Sequence, residues 1–223
     1  IRAKEVIISS GSIERPLVFG NNDTPGVILS SAAKEYLKIY GVLVGKKPLV
    51  FTNNDSGYET AIEFKKNGID PIVLDTRKNP NSEIIKEAKD LNINIKFSYV
   101  VVAAKGYKKV SSADIAKISD DKKNISNIEN IKCDCICVSG FWTPTIHLAS
   151  QSGNKTKFNE EIDAFIPSQP KQKETTLGSA NGIFTLEETL KTSFEKGNEI
   201  SKKITNKENI VSVPAVVEKK YSN

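Results

Sequence analysis

The chain has 223 residues, 38% of them hydrophobic and 26% charged, with a formal net charge of +5. That length can bury a core in one large or two modest domains, and the composition is that of a globular protein rather than a disordered or fibrous one. No apolar run approaches the roughly 18 residues of a membrane-spanning helix, and the lysines alternate with acids, as in Glu83–Asp90, instead of massing beside aromatics. Neither a membrane nor nucleic acid is therefore expected as a partner. Three cysteines behind an N-terminus without an apolar leader predict a reducing, cytoplasmic setting. The chain opens on Ile1 and contains no Met, so a piece of a longer protein is expected.

In chain order, Glu5–Ile8 reads as a short buried strand and Ser9–Ser12 as a tight turn. Val27–Tyr40 has the apolar spacing of an amphipathic helix, stopped by Gly41. Leu49–Phe51 is an apolar strand. Ser56–Asn67 is a helix ended by Gly68, and Ile72–Leu74 is a second strand, apolar on both faces as in a parallel sheet covered on both sides. A helix over Asn81–Leu91 and a half-exposed strand over Ile93–Phe97 follow. Tyr99–Ala104 and Tyr107–Val110 read as an antiparallel hairpin, Lys122–Lys132 as an exposed connection and Cys133–Val138 as a buried strand. Glu161–Ile166 and Thr175–Leu177 are short strands. Thr185–Thr205 is the last helix, with Thr185 and Glu188 placed as a capping box. The fold class that results is α/β, a Rossmann-like parallel sheet with a meander. The first strand and turn belong with the closing strand and helix, and the middle sits between them as an insertion. Expected boundaries are 1–25 and 155–205 for the outer part, 26–154 for the inserted part and 206–223 for a tail.

The stretch that speaks to chemistry is Leu49–Ala61 followed by Ile72–Asp75. A strand, a polar turn, a helix and a second strand ending in an acid form the layout of a dinucleotide-binding βαβ unit. Its fingerprint would read Gly-x-Gly-x-x-Gly; here Thr52, Asn53, Asn54, Asp55, Ser56 and Gly57 stand in its place, so only the last glycine is kept. Asn tolerates the turn, but a side chain at position 54 crowds a pyrophosphate. An altered nucleotide site and a structural vestige are both open readings. Asp75 suits a ribose diol and NAD over NADP, and Arg77 suits stacking on adenine; a simple ion pair is the alternative for both.

The words Ile8–Leu17, Asn21–Gly26, Val50–Tyr58, Ser139–Pro144, His147–Gly153 and Gly178–Gly182, in this order over nearly the whole chain, resemble the α subunits of heterotetrameric sarcosine oxidases and related amine-oxidising flavoenzymes. The resemblance implies a fold of two dinucleotide-binding domains, the inner inserted in a discontinuous and here incomplete outer one. It implies NAD in the full subunit, FAD and FMN on partner subunits, and a β subunit carrying the amine-oxidising flavin. It implies oxidative demethylation of sarcosine to glycine, with the one-carbon unit passed on to tetrahydrofolate. Opine, proline or glycine oxidation by a related α subunit, and a non-catalytic assembly module, are the alternatives. By resemblance, Ser10 and Gly11 approach a dinucleotide of the outer domain and Gly140 one of the inner domain. Gly178 and Asn181 stand where related reductases hold a flavin chain, with Ser179 replacing their acid. No catalytic residue is assigned. Cys133, Cys135 and Cys137, at alternate positions of a strand, read as small buried residues on one face rather than as zinc ligands, and His147 as a structural hydrogen-bonder.

Overall fold

The computed structural model describes residues 2–206, 211–213, 215 and 216, so Ile1 and most of the expected tail lie outside the described residues. Within them the chain forms two compact units, one from 2–13 with 142–216 as far as described, the other from Glu14–Phe141. The division thus falls at 13/14 and 141/142, in each case about a dozen residues before the 25/26 and 154/155 read from sequence. Residues 14–25 are held in the central unit by Glu14, whose carboxylate accepts from the Ser31 backbone N–H (2.8 Å) and hydroxyl (2.6 Å), and by the buried Phe19.

The chain begins with β1 (Val6–Ile8) and β2 (Ser12–Glu14). The central unit then runs β3 (Val27–Leu29), α1 (Ser30–Tyr40), β4 (Pro48–Thr52), α2 (Ser56–Lys66), β5 (Ile72–Asp75), α3 (Glu83–Asp90), β6 (Asn94–Phe97), β7 (Tyr99–Lys105), β8 (Ser112–Lys117), β9 (Glu129–Ile131) and β10 (Cys135–Ser139). Its main sheet has the order β3-β10-β4-β5-β6, and every neighbouring pair is parallel. Strands β4 and β10 are buried along their whole length, which is why they read as continuous apolar runs.

Each face of this sheet has its own core. Val50, Val73, Cys135 and Cys137 pack against the helices through Ala33, Tyr58, Ala61, Phe64, Ile84 and Ile85. Leu49, Phe51, Leu74, Ile136 and Val138 point the other way, onto Val101, Ala104, Ala113 and Ile115 of the antiparallel sheet β7-β8-β9. The unit is therefore three-layered, with helices on one face and the meander on the other.

Several sequence expectations are corrected. Val27–Leu29 is a strand, not the start of α1, because these three apolar residues pair in register with Ile136–Val138. The meander's second strand starts at Ser112, with Tyr107 fully exposed in the turn, and the connection 122–132 supplies β9. The three cysteines do not share a face. Cys133 precedes β10 and joins the core on the meander side, whereas Cys135 and Cys137 face the helices. Val6 and Ile7 of β1 are half exposed, so only Ile8 is buried in that strand.

After the central unit come β11 (Trp142–Pro144), α4 (His147–Gln151), β12 (Lys155–Asn159), β13 (Ala164–Gln169), β14 (Glu174–Thr176), a single 3-10 turn over Gly178–Asn181, and α5 (Leu186–Thr205). β11, α4 and β12 are absent from the sequence reading, since they are short and largely exposed. β1 pairs in parallel with β14, placing Ile7 against Thr175 and Ile8 against Thr176, so the two distant ends of the chain do share a sheet. β2 pairs with β11, and β12 with β13 as an antiparallel hairpin. Thr185 caps α5, its hydroxyl accepting from the Glu188 N–H.

Candidate functional site

In a parallel sheet whose strand order reverses, ligands bind outside the carboxyl ends of the strands at the point of reversal. Here the chain steps from β4 outward to β5 and β6, while β10 and β3 lie on β4's other side, so the reversal is between β4 and β10. The strand register brings Ser139, Thr52 and Asp75 into one row across the ends of β10, β4 and β5. All three are polar and fully buried. Buried polar groups must find partners, and those partners define the site.

The turn after β4 is built from its own side chains. The Thr52 hydroxyl accepts from the Asn54 N–H (3.1 Å) and donates to the Asn54 carbonyl (2.8 Å), folding the backbone tightly without the first glycine. Asn54, at the second glycine position, is 2% exposed. Its Nδ2 donates to the Ser139 carbonyl (3.2 Å), the Ser139 hydroxyl (3.3 Å) and Asn53 Oδ1 (3.0 Å). Its Oδ1 accepts from the Ser56 N–H (2.9 Å) and hydroxyl, capping the first amide of α2. The Asn53 N–H reaches the Ser139 carbonyl (3.3 Å), and the Ser56 and Ser139 hydroxyls are 3.0 Å apart. Gly57, the retained third glycine, lies so close to β4 that a Cβ would come within 2.6 Å of Thr52 Cβ. Its part is the close helix–strand packing of the fingerprint, independent of any ligand.

The acid end is equally committed. Asp75 Oδ1 accepts from the Arg77 N–H (2.9 Å) and Nε (3.1 Å), and Oδ2 from the Tyr58 hydroxyl (2.7 Å) and Arg77 Nη2 (2.9 Å). The same Nη2 donates to Asp55 Oδ1 (2.9 Å), and Asp55 is 1% exposed. The Arg77 guanidinium thus bridges two buried carboxylates. Burial alone would pull its pKa down, but Asp75 and Asp55 outweigh that and hold it above the ordinary value. Burial, reinforced by the adjacent Asp75 carboxylate, pushes Tyr58 well above the ordinary phenol range, so its proton stays on the hydrogen bond.

The residues singled out from sequence therefore fall into two groups. Asn53, Asn54, Asp55, Ser56, Gly57, Asp75 and Arg77 form one network in the central unit. Arg77 bridges two carboxylates through its N–H edge, and Asp75 is occupied on both oxygens. Gly140 also has another task. Its N–H donates to the Arg15 carbonyl (2.6 Å), its carbonyl accepts from Arg15 Nε (3.1 Å), and an added Cβ would meet the Arg15 carbonyl at 2.6 Å. It is small because the Arg15–Pro16 backbone passes against it.

Ser10, Gly11, Gly178 and Asn181 belong to the other unit, in the segments that follow β1 and β14. The Leu177 N–H donates to the Ile8 carbonyl (2.9 Å) and the Ser10 hydroxyl to the Thr145 carbonyl (2.6 Å). Gly11 and Gly178 both have positive φ; the Gly11 carbonyl accepts from the Thr145 N–H (2.9 Å), while a Cβ at Gly11 would meet nothing within 4 Å. Among the described residues no cluster of His, Cys, Asp and Glu suits a metal ion. No helix among them is long and apolar enough to cross a membrane. Tyr58 and Ser139 were not assigned a site role from sequence. Ser139 was legible as the polar residue ending an apolar strand, whereas nothing in the sequence marks Tyr58.

No protein-family model matches the chain. Sarcosine oxidase alpha subunits match it at 31–34% identity. That of Corynebacterium sp. strain U-96 is 31% identical over 192 residues, which is 86% of this chain and 20% of that protein. The chain spans about one fifth of the length of these relatives. Among solved structures, T. acidophilum thioredoxin reductase aligns with a TM-score of 0.63 at 16% identity, over 82% of this chain and 59% of that one. L-proline dehydrogenase from P. horikoshii aligns with a TM-score of 0.63 at 22% identity, over 93% of this chain and 36% of that one. These likenesses establish the fold, a Rossmann-like α/β architecture shared with a thioredoxin reductase and an L-proline dehydrogenase.

Proposed function

The chain is a relative of one stretch of the sarcosine oxidase alpha subunit, and on that premise we propose that it is the dinucleotide-fold segment of such a subunit, serving an oxidoreductase that acts on the CH–NH group of a secondary amine. The observation that carries this reading is the sequence match over 86% of the chain. The reaction proposed for the whole enzyme is oxidative demethylation of sarcosine to glycine. FAD and FMN belong to partner subunits, among them a β subunit, and this chain provides scaffold and NAD association rather than the amine oxidation itself. In domain terms, Glu14–Phe141 is the inserted domain and the flanking segments are the outer one.

The two candidate regions fit a dinucleotide unequally. The central network does not fit one, because its glycine gap and its acid are filled by the protein's own groups. The segments that follow β1 and β14 fit better, since a Cβ at Gly11 would meet nothing within 4 Å and Gly178, two residues past β14, holds a positive φ. NAD, when bound, supplies an adenosine and a pyrophosphate to be held; Ser10, Gly11, Gly178 and Asn181 are the residues proposed to hold it.

The test has two parts. The full-length protein, produced with its neighbouring subunits, is assayed for amine-dependent peroxide formation with sarcosine, proline, glycine and an opine. The expected result is the highest kcat/KM for sarcosine; turnover of another amine with none for sarcosine would overturn the substrate. Thermal-shift titration with NAD is expected to raise Tm, by the equivalent of about 2.7 kcal/mol at a hundred times Kd. The filled central network favours a second reading, a non-catalytic assembly module that binds no nucleotide. A Tm unmoved by NAD, NADP, FAD and ADP at millimolar concentration would select it.

A further inference from the structure

We infer that the crevice between β4 and β10 of the central unit, the place where this fold holds a dinucleotide, is sealed by the protein's own side chains and works as an internal staple that excludes nucleotides. The inference goes beyond the proposed function and stands whether or not the β1–β14 end binds NAD.

Three demands of a dinucleotide are each met by something else. A pyrophosphate needs the second glycine of the turn to bring its oxygens against backbone. That space holds the Asn54 carboxamide, which ties the turn to Ser139 on the neighbouring strand and occupies the Ser56 N–H. That N–H is one of the few amides with which a helix start attracts an anion. A ribose needs free carboxylate oxygens at the end of β5. Both oxygens of Asp75 are taken by Tyr58 and Arg77, and the residue has no exposed surface. An anionic ligand is drawn by an available cation, and the Arg77 guanidinium here is committed to Asp55 and Asp75.

The ligand would have to displace a set of bonds that already satisfies the whole polar row at the strand ends. The asymmetry of hydrogen bonding sets the outcome. Made bonds contribute modestly, but buried groups stripped of them are costly, so the sealed form persists. Asn54 joins β4 to β10 and Arg77 joins β5 to the turn after β4, so the carboxyl edge of the sheet is closed across three strands without a ligand.

The test is hydrogen–deuterium exchange of the chain with NAD, NADP, FAD or ADP at millimolar concentration, read peptide by peptide. Exchange over 49–58 and 72–78 is expected to change by less than about twofold with every nucleotide, while peptides over 8–12 and 176–182 report separately on the proposed NAD end. Slowing of 52–58 by about tenfold or more with any of the four would overturn the inference. Protection at neither end would sink the NAD proposal alone. Asn54→Ala gives an independent reading. A staple residue loses thermal stability and leaves unchanged the affinity for any nucleotide the chain binds. A drop of tenfold or more in that affinity, with Tm preserved, would also overturn the inference.

Discussion

At the scale of single residues, the buried Asp55–Arg77–Asp75 bridge is the feature with the largest stake. Replacing Arg77 by Ala leaves two carboxylates buried without their counter-ion, and breaking such a pair costs about 3–5 kcal/mol. Chemical denaturation of Arg77→Ala is expected to show a loss in that range, against about 1.5–3 kcal/mol for Tyr58→Phe, which removes one hydrogen bond to a carboxylate that keeps its other partners. Tyr58 also makes a prediction about pH. Its proton is bound more tightly in the folded state than in the unfolded chain, where the phenol titrates near 10.0. The resulting stabilisation is complete below that value and is lost as pH rises through and beyond it, by up to about 1.4 kcal/mol per pH unit for the one proton. Between pH 10 and 11 the stability of the parent chain should therefore fall more steeply than that of Tyr58→Phe, with denaturant midpoints as the measurement; equal slopes would refute the coupling. The three cysteines behave as core residues. Cys133 is raised to about 12 by burial, and Cys137 is raised by its contact with Cys135 and by burial. A thiol reagent is expected to modify none of the three in the native state and all three after unfolding.

At the scale of elements, α2 and β4 are held at a separation that only glycine permits. Gly57→Ala places a methyl group within 2.6 Å of Thr52 Cβ, so the helix must shift or the strand bend; a loss of about 1–3 kcal/mol in denaturant unfolding is expected. This is also the scale at which the sequence was most legible. The order of β4, α2, β5, α3 and β6 follows from apolar runs bounded by turn residues, and α5 from its capping pair. Exposed, short elements such as β11 and β12 carry no such pattern, and β3 was hidden because three apolar residues ahead of a helix extend the helix's own periodicity. At the site, the position of every residue in the turn after β4 was readable, but not its partners. Asn54 was expected to crowd a ligand; that it reaches across to Ser139 depends on β10, more than 80 residues away in sequence, lying next to β4. Likewise Asp75 reads as a ribose acceptor until Tyr58, in the first turn of α2, is seen pointing at it.

At the scale of the whole molecule, the two units are unequal in construction. The central one has a five-stranded parallel sheet covered on both faces, whereas the other relies on the two-stranded pairs β1–β14, β2–β11 and β12–β13, and its longest helix, α5, buries only Ile200. Two-stranded pairs with exposed apolar positions, such as Val6 and Ile7, supply little protection of their own. Amides of β1 and β14 are expected to exchange with solvent at least about tenfold faster than those of β4, β5 and β10, read in the same native-state exchange experiment.

The pairing of Ile8 with Thr176 has a consequence for synthesis on the ribosome. When β1 emerges, its partner strand is still roughly 170 residues from being translated, a delay on the order of ten seconds or more at common elongation rates. Over that interval Glu14–Phe141 emerges as a complete unit, and the apolar Val6–Ile8 segment is left without its partner strand. A chaperone that shields nascent apolar segments is expected to crosslink there, and its contact should end once Thr176 has cleared the exit tunnel.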